Sequence, residues 1–264
     1  MKKILLAITL ILNTLNAQQI KAGYDVSFGL FGEIGKAEIS YNQENDNYLI
    51  LVHAWTTGMS AALTQNREES YISQGTIINN TLRPDVFVKF RQSDNYTKIN
   101  VFKFDHKEKK VLVHYTKEHK GTRTQYDVHS MKNVKEEIST LKVSQENFRL
   151  YTDNDLLSLF FNTKKILPTL QEGETRSLTA IGSKNPNCEI DINVPCAQKK
   201  EALQEIMQDD KGRLLTIILH QDIFQSKDGE LNVIFDEEGL AKNVLLRDVI
   251  LFGDIRGKRT YLEK

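Results

Sequence analysis

The chain has 264 residues, of which 40% are apolar and 27% charged, and its 35 Lys and Arg residues balance its 35 Asp and Glu residues. This composition excludes an intrinsically disordered chain and a protein with many membrane spans. A formal net charge of zero argues against nucleic-acid binding, which requires a basic surface that displaces counterions.

Residues 1–17 have the features of a secretory signal peptide. Lys2 and Lys3 form its positive start, residues 4–12 are mostly apolar, and Ala17 is the small residue that a signal peptidase requires. The apolar run is shorter than the roughly 20 residues that a membrane-spanning helix needs, so we expect cleavage rather than a membrane anchor. The sequence therefore predicts an exported protein that is not integral to a membrane. Its Lys-rich and Asn-rich composition indicates a bacterial periplasm.

Most of the remaining sequence is typical of short β-strands separated by polar turns. The apolar and β-branched runs that predict strands lie at residues 24–31, 34–41, 48–55, 86–90, 99–104, 111–115, 214–219, 231–235 and 244–252. The pair Asp228-Gly229 favours a two-residue hairpin turn. Strands at this spacing predict a large antiparallel sheet, in a sandwich or a barrel.

One segment, at about residues 154–167, predicts a helix that Asp153 or Asn154 caps and that ends near Pro168. At 100° per residue, its apolar side chains cover an arc of about 220°. A helix on a flat sheet needs an apolar stripe of only about 100°. The wide arc therefore predicts a curved antiparallel sheet, an incomplete barrel, wrapped around this one apolar helix.

A half-closed sheet around an apolar helix can enclose a cavity for an acyl chain or another hydrophobic ligand. The alternative is an interior that side chains fill completely. The candidate lining residues of the cavity are Trp55, Leu156, Leu157, Phe160 and Phe161. Trp55 is also explained as an ordinary core residue.

The two cysteines, Cys188 and Cys196, are predicted to form a disulfide, because an exported chain enters an oxidising compartment. Eight residues of extended strand would separate them by about 26 Å. A disulfide requires Cα atoms about 5.5–6 Å apart. The intervening segment must therefore double back if the bridge forms.

The segment 24–39, YDVSFGLFGEIGKAEI, is similar to the opening of the bacterial domain-of-unknown-function family 3108. The order of later motifs also fits this family, at residues 48–58, 66–73, 82–84, 155–161 and 252–257. The similarity covers about residues 22–262, which we interpret as a single β-rich domain. The resemblance implies an exported, mostly antiparallel β protein shaped like the lipoprotein carriers LolA and LolB, which surround helices and an apolar cavity with an incomplete barrel. It implies no catalytic residue.

No catalytic or metal-binding motif occurs in the sequence. It has no Gly-x-Ser-x-Gly elbow, no phosphate loop, no His-Glu-x-x-His pair and no histidines at chelating spacing. Asp153 and Asp155 could pair as catalytic carboxylates, but helix capping explains both. Arg67, Glu68 and Glu69 fit a solvated run of charges.

We therefore predict a non-enzymatic periplasmic protein, without cofactor, that binds or carries a hydrophobic ligand, a lipid or a lipid-modified protein. The alternative is a structural factor of the cell envelope that acts through protein–protein contacts. A hydrolase of envelope components is a third hypothesis for which the sequence nominates no nucleophile.

Overall fold

The computed structural model describes residues 17–127, 129, 131–183, 187–220, 229–249 and 253–264. The predicted signal peptide up to residue 16, Asp228 of the predicted hairpin turn and Phe252 of the last family motif lie outside these ranges. The strands of the described ranges are β1 (Ala17–Phe28), β2 (Gly32–Glu44), β3 (Asn47–Thr56), β4 (Glu68–Ile78), β5 (Thr81–Ser93), β6 (Tyr96–Asp105), β7 (Lys110–Asp127), β8 (Lys132–Asn147), β9 (Thr175–Thr179), β10 (Glu189–Asn193), β11 (Arg213–Ile218), β12 (Glu230–Phe235), β13 (Ala241–Val249) and β14 (Gly253–Glu263). The α-helices are α1 (Gly58–Leu63), α2 (Leu156–Ile166) and α3 (Ala197–Met207).

The strands form a single antiparallel sheet in the order β8-β7-β6-β5-β4-β3-β2-β1-β14-β13-β12-β11-β10-β9. The first eight strands follow one another along the chain, and β14 returns to pair with β1. The first and last strands of the chain therefore meet inside the sheet, while β8 and β9 form its two edges. The predicted fold class, one large antiparallel sheet that is not closed into a barrel, is confirmed.

The sheet bends around α2. Leu156 of this helix packs both against a cluster that contains Phe102 of β6 and against a cluster that contains Ile190 of β10. In a flat sheet, ten steps of about 4.8 Å would separate β6 from β10 by about 48 Å. The sheet must therefore curve, because one side chain packs against clusters that contain residues of both strands. We call the face toward α2 the inner face and the opposite face the outer face.

The start of α2 is set by a carboxylate. Asp155 accepts hydrogen bonds from the backbone N–H groups of Leu157 and Ser158, at 2.7 and 2.9 Å from its Oδ1. An Asp in this position satisfies N–H groups that have no partner inside the helix. Because Asp155 caps α2 rather than Asp153 or Asn154, the helix begins later than the sequence predicts.

A helix that the sequence did not predict, α3, covers part of the outer face. Leu203 and Met207 of α3 are buried against side chains of β11, β12 and β13, namely Leu214, Ile234 and Leu245. Only these two side chains of α3 are fully buried. Its sequence, AQKKEALQEIM, has too narrow an apolar stripe to stand out from a polar loop.

The predicted disulfide between Cys188 and Cys196 is not formed. Both cysteines are free; Cys188 is buried and Cys196 is exposed. The segment between them does not double back, because Glu189–Asn193 is the strand β10. Five extended residues advance the chain by roughly 16 Å, which is too far for a bridge.

Candidate ligand-binding groove

Four of the five predicted lining residues lie together on α2. Leu156, Leu157, Phe160 and Phe161 are all half-buried, although α2 lies against the inner face. Phe161 stacks on Tyr41 of β2, with ring centroids 5.1 Å apart. The helix therefore contacts the sheet and still leaves apolar surface accessible.

The structure separates Trp55 from these four side chains. Successive side chains of a strand point to opposite faces, and Tyr48 and Ile50 of β3 are buried on the inner face. Trp55 has the opposite parity, so it lies on the outer face with Leu51. There its ring stacks on His53, with centroids 5.1 Å apart. Trp55 is therefore neither a lining residue of the groove nor part of the core between α2 and the sheet.

The sheet beside α2 presents small and apolar side chains. Ala37 and Ile39 of β2 pack against the same buried cluster as Phe160, and all three are half-buried. Ala54 lies opposite Ala37 on β3, and Val52 lies opposite Ile39. We call Ala37, Ile39, Val52 and Ala54 the apolar floor. We call the space between this floor and α2 the groove; the apolar side chains on both sides of it are half-buried and keep some exposed carbon surface.

A chain of buried hydrogen bonds attaches α2 to β4 and β3. Ser73 of β4 donates a hydrogen bond to Oδ2 of Asp155 at 2.5 Å, so the Tyr48 hydroxyl donates to Ser73 at 3.0 Å. Burial raises the pKa of Asp155 to about 6, against the opposing effect of its hydrogen bonds from Ser73, Ser158 and Leu157. Tyr48, Ser73 and Asp155 are at most 2% exposed. Because all three side chains are shielded from solvent, this chain of hydrogen bonds holds α2 in position against the sheet.

Asp153 and Asp155 do not form a carboxylate pair. Asp155 is buried, whereas the Asp153 side chain is 69% exposed. Asp153 accepts a hydrogen bond from the Tyr151 hydroxyl at 2.6 Å and lies 3.7 Å from the His106 ring. The two carboxylates thus have different partners and different environments.

A row of basic side chains lies on the inner face of the sheet, on the strands β5 to β8. The buried side chains Ser73, Phe87, Phe102 and Val113 oppose one another on β4 to β7 and mark the inner face. Each of these four strands carries a charged residue four positions away from its buried residue and therefore on the same face. These charged residues are Glu69, Arg91, Lys98 and Lys117. Lys142 of β8 lies opposite Lys117. We call Arg91, Lys98, Lys117 and Lys142 the cationic row.

The sequence suggested that Glu69 belongs to a solvated run of charges, but the structure shows that it does not. Its side chain is 17% exposed, forms an ion pair with Arg67 and lies 2.9 Å from Nε of Arg91. Burial raises the pKa of Glu69, but hydrogen bonds from Tyr71 and Arg67 and the charge of Arg91 outweigh it and hold that pKa below its usual range. Glu69 is therefore ionised and orients the first cation of the row.

The apolar floor continues directly into the cationic row. Ala37, Ala54 and Glu69 occupy directly opposed positions on β2, β3 and β4, and Arg91 follows on β5. One inner-face row thus changes from apolar to basic as it crosses the sheet. No local pattern could reveal it, because its members are spread along more than a hundred residues and only the strand register unites them.

A cavity of about 550 Å³ lies elsewhere, between α3 and β13–β14. Polar and charged residues dominate its wall, including Asp209, Lys242 and Lys258. Asp209 is already paired with Lys242 at 2.8 Å. None of the predicted lining residues borders this cavity, and its wall does not suit an apolar ligand.

Among the described residues, no helix is both long and apolar enough to cross a bilayer. In the same part of the chain, no three His, Cys, Asp or Glu side chains gather as a metal site requires.

Comparison with known proteins identifies the family of the chain. The search of curated proteins and the search of solved structures each found no match. The family DUF3108, described as a protein of unknown function, matches residues 23–187. This match is narrower than the expected 22–262, but it spans more than half of the chain and includes β2 to β8 and α2. The chain therefore belongs to the DUF3108 family.

Proposed function

We propose that this protein is a non-enzymatic protein of the bacterial periplasm that binds a hydrophobic ligand, a lipid or a lipid-modified protein in the groove between α2 and the apolar floor. The observation that carries this proposal is the half-buried state of Leu156, Leu157, Phe160 and Phe161. Leu159 of the same helix is only 4% exposed, as expected of a core residue. Accessible apolar surface inside a curved sheet is typical of ligand sites.

Two further arguments support the proposal. An open, curved sheet around an apolar helix is the arrangement that the resemblance to the LolA and LolB carriers implies, although fold analogy alone does not identify a cargo. Residues 1–17 have the features of an export signal, and export would bring the protein to the envelope lipids.

Adjacent residues of β3 provide a matched test. Val52 lies on the apolar floor and Leu51 on the outer face. We expect Val52→Asp to weaken binding of the fluorescent fatty acid cis-parinaric acid at least tenfold, because a charge in an apolar groove must be desolvated. Leu51→Asp should bind as the wild type does, and circular dichroism should show both variants folded.

Native mass spectrometry of the protein purified from a periplasm completes the test. Lipid adducts on the wild type and on Leu51→Asp, but not on Val52→Asp, would support the groove. A wild-type protein that carries no lipid and takes up no fatty acid would refute the proposal. Equal loss of binding in both variants would refute this location of the site.

The alternative, a structural factor of the envelope that acts through protein–protein contacts, is favoured by the edge strand β8. All 16 residues of β8 are exposed, and its register with β7 has no bulge that would hinder further pairing. Antiparallel pairing of β8 with a second copy, centred on Ser139, would place Lys132 opposite Glu146 and Glu136 opposite Lys142. This charge complementarity favours a second copy of the chain as the partner.

A cysteine at the centre of that pairing tests the alternative. In a Cys196→Ser background, Ser139→Cys should form a disulfide-linked dimer on mild oxidation, because Ser139 would face itself across the two-fold axis. Gln145→Cys, which would face Asn133, is the control and should remain monomeric. Equal crosslinking of both variants, or of neither, would contradict the pairing.

A further inference from the structure

The cationic row places four like charges on directly opposed positions of adjacent strands. Arg91 lies opposite Lys98, Lys98 opposite Lys117, and Lys117 opposite Lys142. Directly opposed side chains have Cβ atoms about 4.5–5.5 Å apart, and like charges in such pairs destabilise a sheet. An arrangement that opposes stability is expected where it serves binding.

Carboxylates are few at the inner-face positions around the row; on β8, Glu146 lies opposite Val113, four residues from Lys142. Glu69, which lies opposite Arg91 at the β4 end of the row, is shared between Arg67 and Arg91. By register, the rows on either side contain no Asp or Glu on β5 to β8; they consist of Lys89, Asn100, Tyr115 and Ser144 toward α2, and Ser93, Tyr96, His119 and Thr140 away from it.

The end of the row on β7 and β8 remains open to a ligand. Lys117 and Lys142 are exposed, and the Lys117 ammonium lies 5.5 Å from the centre of the Tyr96 ring. Three steps of about 4.8 Å between strands give the row a length of about 14 Å. A ligand that carries several negatively charged oxygens can contact two or more of these cations at once.

We infer that the cationic row binds a phosphate group, and that the ligand of the groove is an amphiphile whose phosphate lies on this row while its acyl chain lies on the apolar floor. The acyl part of this inference rests on the proposed function. The geometry supports the combination because the apolar floor and the cationic row are parts of one continuous inner-face row, joined through Ala54, Glu69 and Arg91.

Two triple variants on the same three strands test the inference. The first, Lys98→Gln/Lys117→Gln/Lys142→Gln, removes the three lysines of the cationic row, one each on β6, β7 and β8. The control removes three exposed lysines of the same strands with outer-face parity, through Lys103→Gln/Lys120→Gln/Lys135→Gln. Both variants change the net charge equally. The probes are oleoyl lysophosphatidic acid, mono-olein, which has the same chain without phosphate, and inorganic pyrophosphate.

We expect the wild type and the control variant to bind lysophosphatidic acid at least tenfold more tightly than mono-olein. The inner-face variant should reduce this preference to within twofold while its affinity for mono-olein is unchanged. Equal affinity of the wild type for the two lipids would overturn the inference and leave the proposed function intact. Equal losses in the two triple variants would overturn it as well.

The pyrophosphate measurement distinguishes a site for the phosphate of a lipid head group from a site for free phosphate. Binding of pyrophosphate to the wild type but not to the inner-face variant, without binding of either lipid, would support the phosphate site and refute the proposed lipid function. Absence of binding by both phosphate probes would overturn the site itself.

Discussion

The two ends of the sheet are covered to different extents. At β11–β13 both faces are covered: Phe160 of α2 packs on Phe235 from the inside, and Leu203 of α3 packs from the outside. At β8, in contrast, Leu141 and Val143 of the outer face are 64% and 68% exposed. The inner face of β8 is also uncovered: beside Lys142 it carries Val134 and Ile138, which are 47% and 45% exposed. We therefore expect the stability of the fold to depend mainly on the covered end. The open end can then bind a ligand without a large effect on stability.

The largest expected effect on stability appears when one leucine from each end of the sheet is replaced by alanine. Leu203→Ala should lower the free energy of unfolding by about 3 kcal/mol, because it leaves a cavity between α3 and the sheet. Leu141→Ala should change it by less than about 0.5 kcal/mol, because that side chain is mostly solvated. Urea denaturation of both variants measures the difference. Equal effects would show that the open end is as important for stability as the covered end.

The next effect concerns the carboxylate that holds α2 between the two ends. Asp155→Ala should cost about 2 kcal/mol, because it removes the helix cap and leaves the Ser73 hydroxyl without its acceptor. Asp155→Asn should cost less, since its amide can still cap the helix and can donate to Ser73. Urea denaturation at pH 7 compares the two variants, and an equal loss in both would contradict the capping role.

The pH dependence of stability follows from the same group. The pKa of Asp155 is raised by burial from 3.8 to about 6 in the folded protein, so the folded state retains a proton that the unfolded state has released. Its contribution to stability is complete below about pH 4 and is lost as the pH rises to about 6. Denaturation between pH 4 and 7 should show this fall in the wild type and a flatter profile in Asp155→Asn. Identical profiles would contradict the raised pKa.

A smaller effect is expected for the aromatic residue that lies outside the groove. Trp55→Ala should lower the free energy of unfolding by about 1 kcal/mol, through loss of its stacking on His53. Its binding of cis-parinaric acid should equal that of the wild type. A loss of binding in a folded variant would show that the outer face takes part in ligand binding.

The smallest effect is a gain in stability at the open end. Lys142→Thr removes a charge opposite Lys117 and should stabilise the protein by about 0.5 kcal/mol at low salt. The control, Lys135→Thr, lies opposite Thr124 and relieves no such repulsion. Thermal melts at low and high ionic strength compare the two. A stabilisation that salt does not reduce would not be electrostatic.

Among the elements that the sequence did not predict, which also include β4, β9 and β10, the strand β8 and the helix α3 share a physical property. The strand β8 lies at an edge with both faces solvated, so its sequence lacks the alternation that marks a half-buried strand. The helix α3 buries only Leu203 and Met207, which is too little to produce a clear amphipathic pattern. Sequence patterns record burial, and elements that bury little escape them.

The sequence by itself determined the mostly β character, the family motifs and the apolar arc of α2, because these depend on local composition and periodicity. The tertiary structure decided which side chains meet: the bond between Ser73 and Asp155, the outward position of Trp55 and the alignment of Lys98 with Lys117 and Lys142. The physical reason is strand register. A shift of one residue moves every side chain of a strand to the opposite face, and register is settled only when the strands pair.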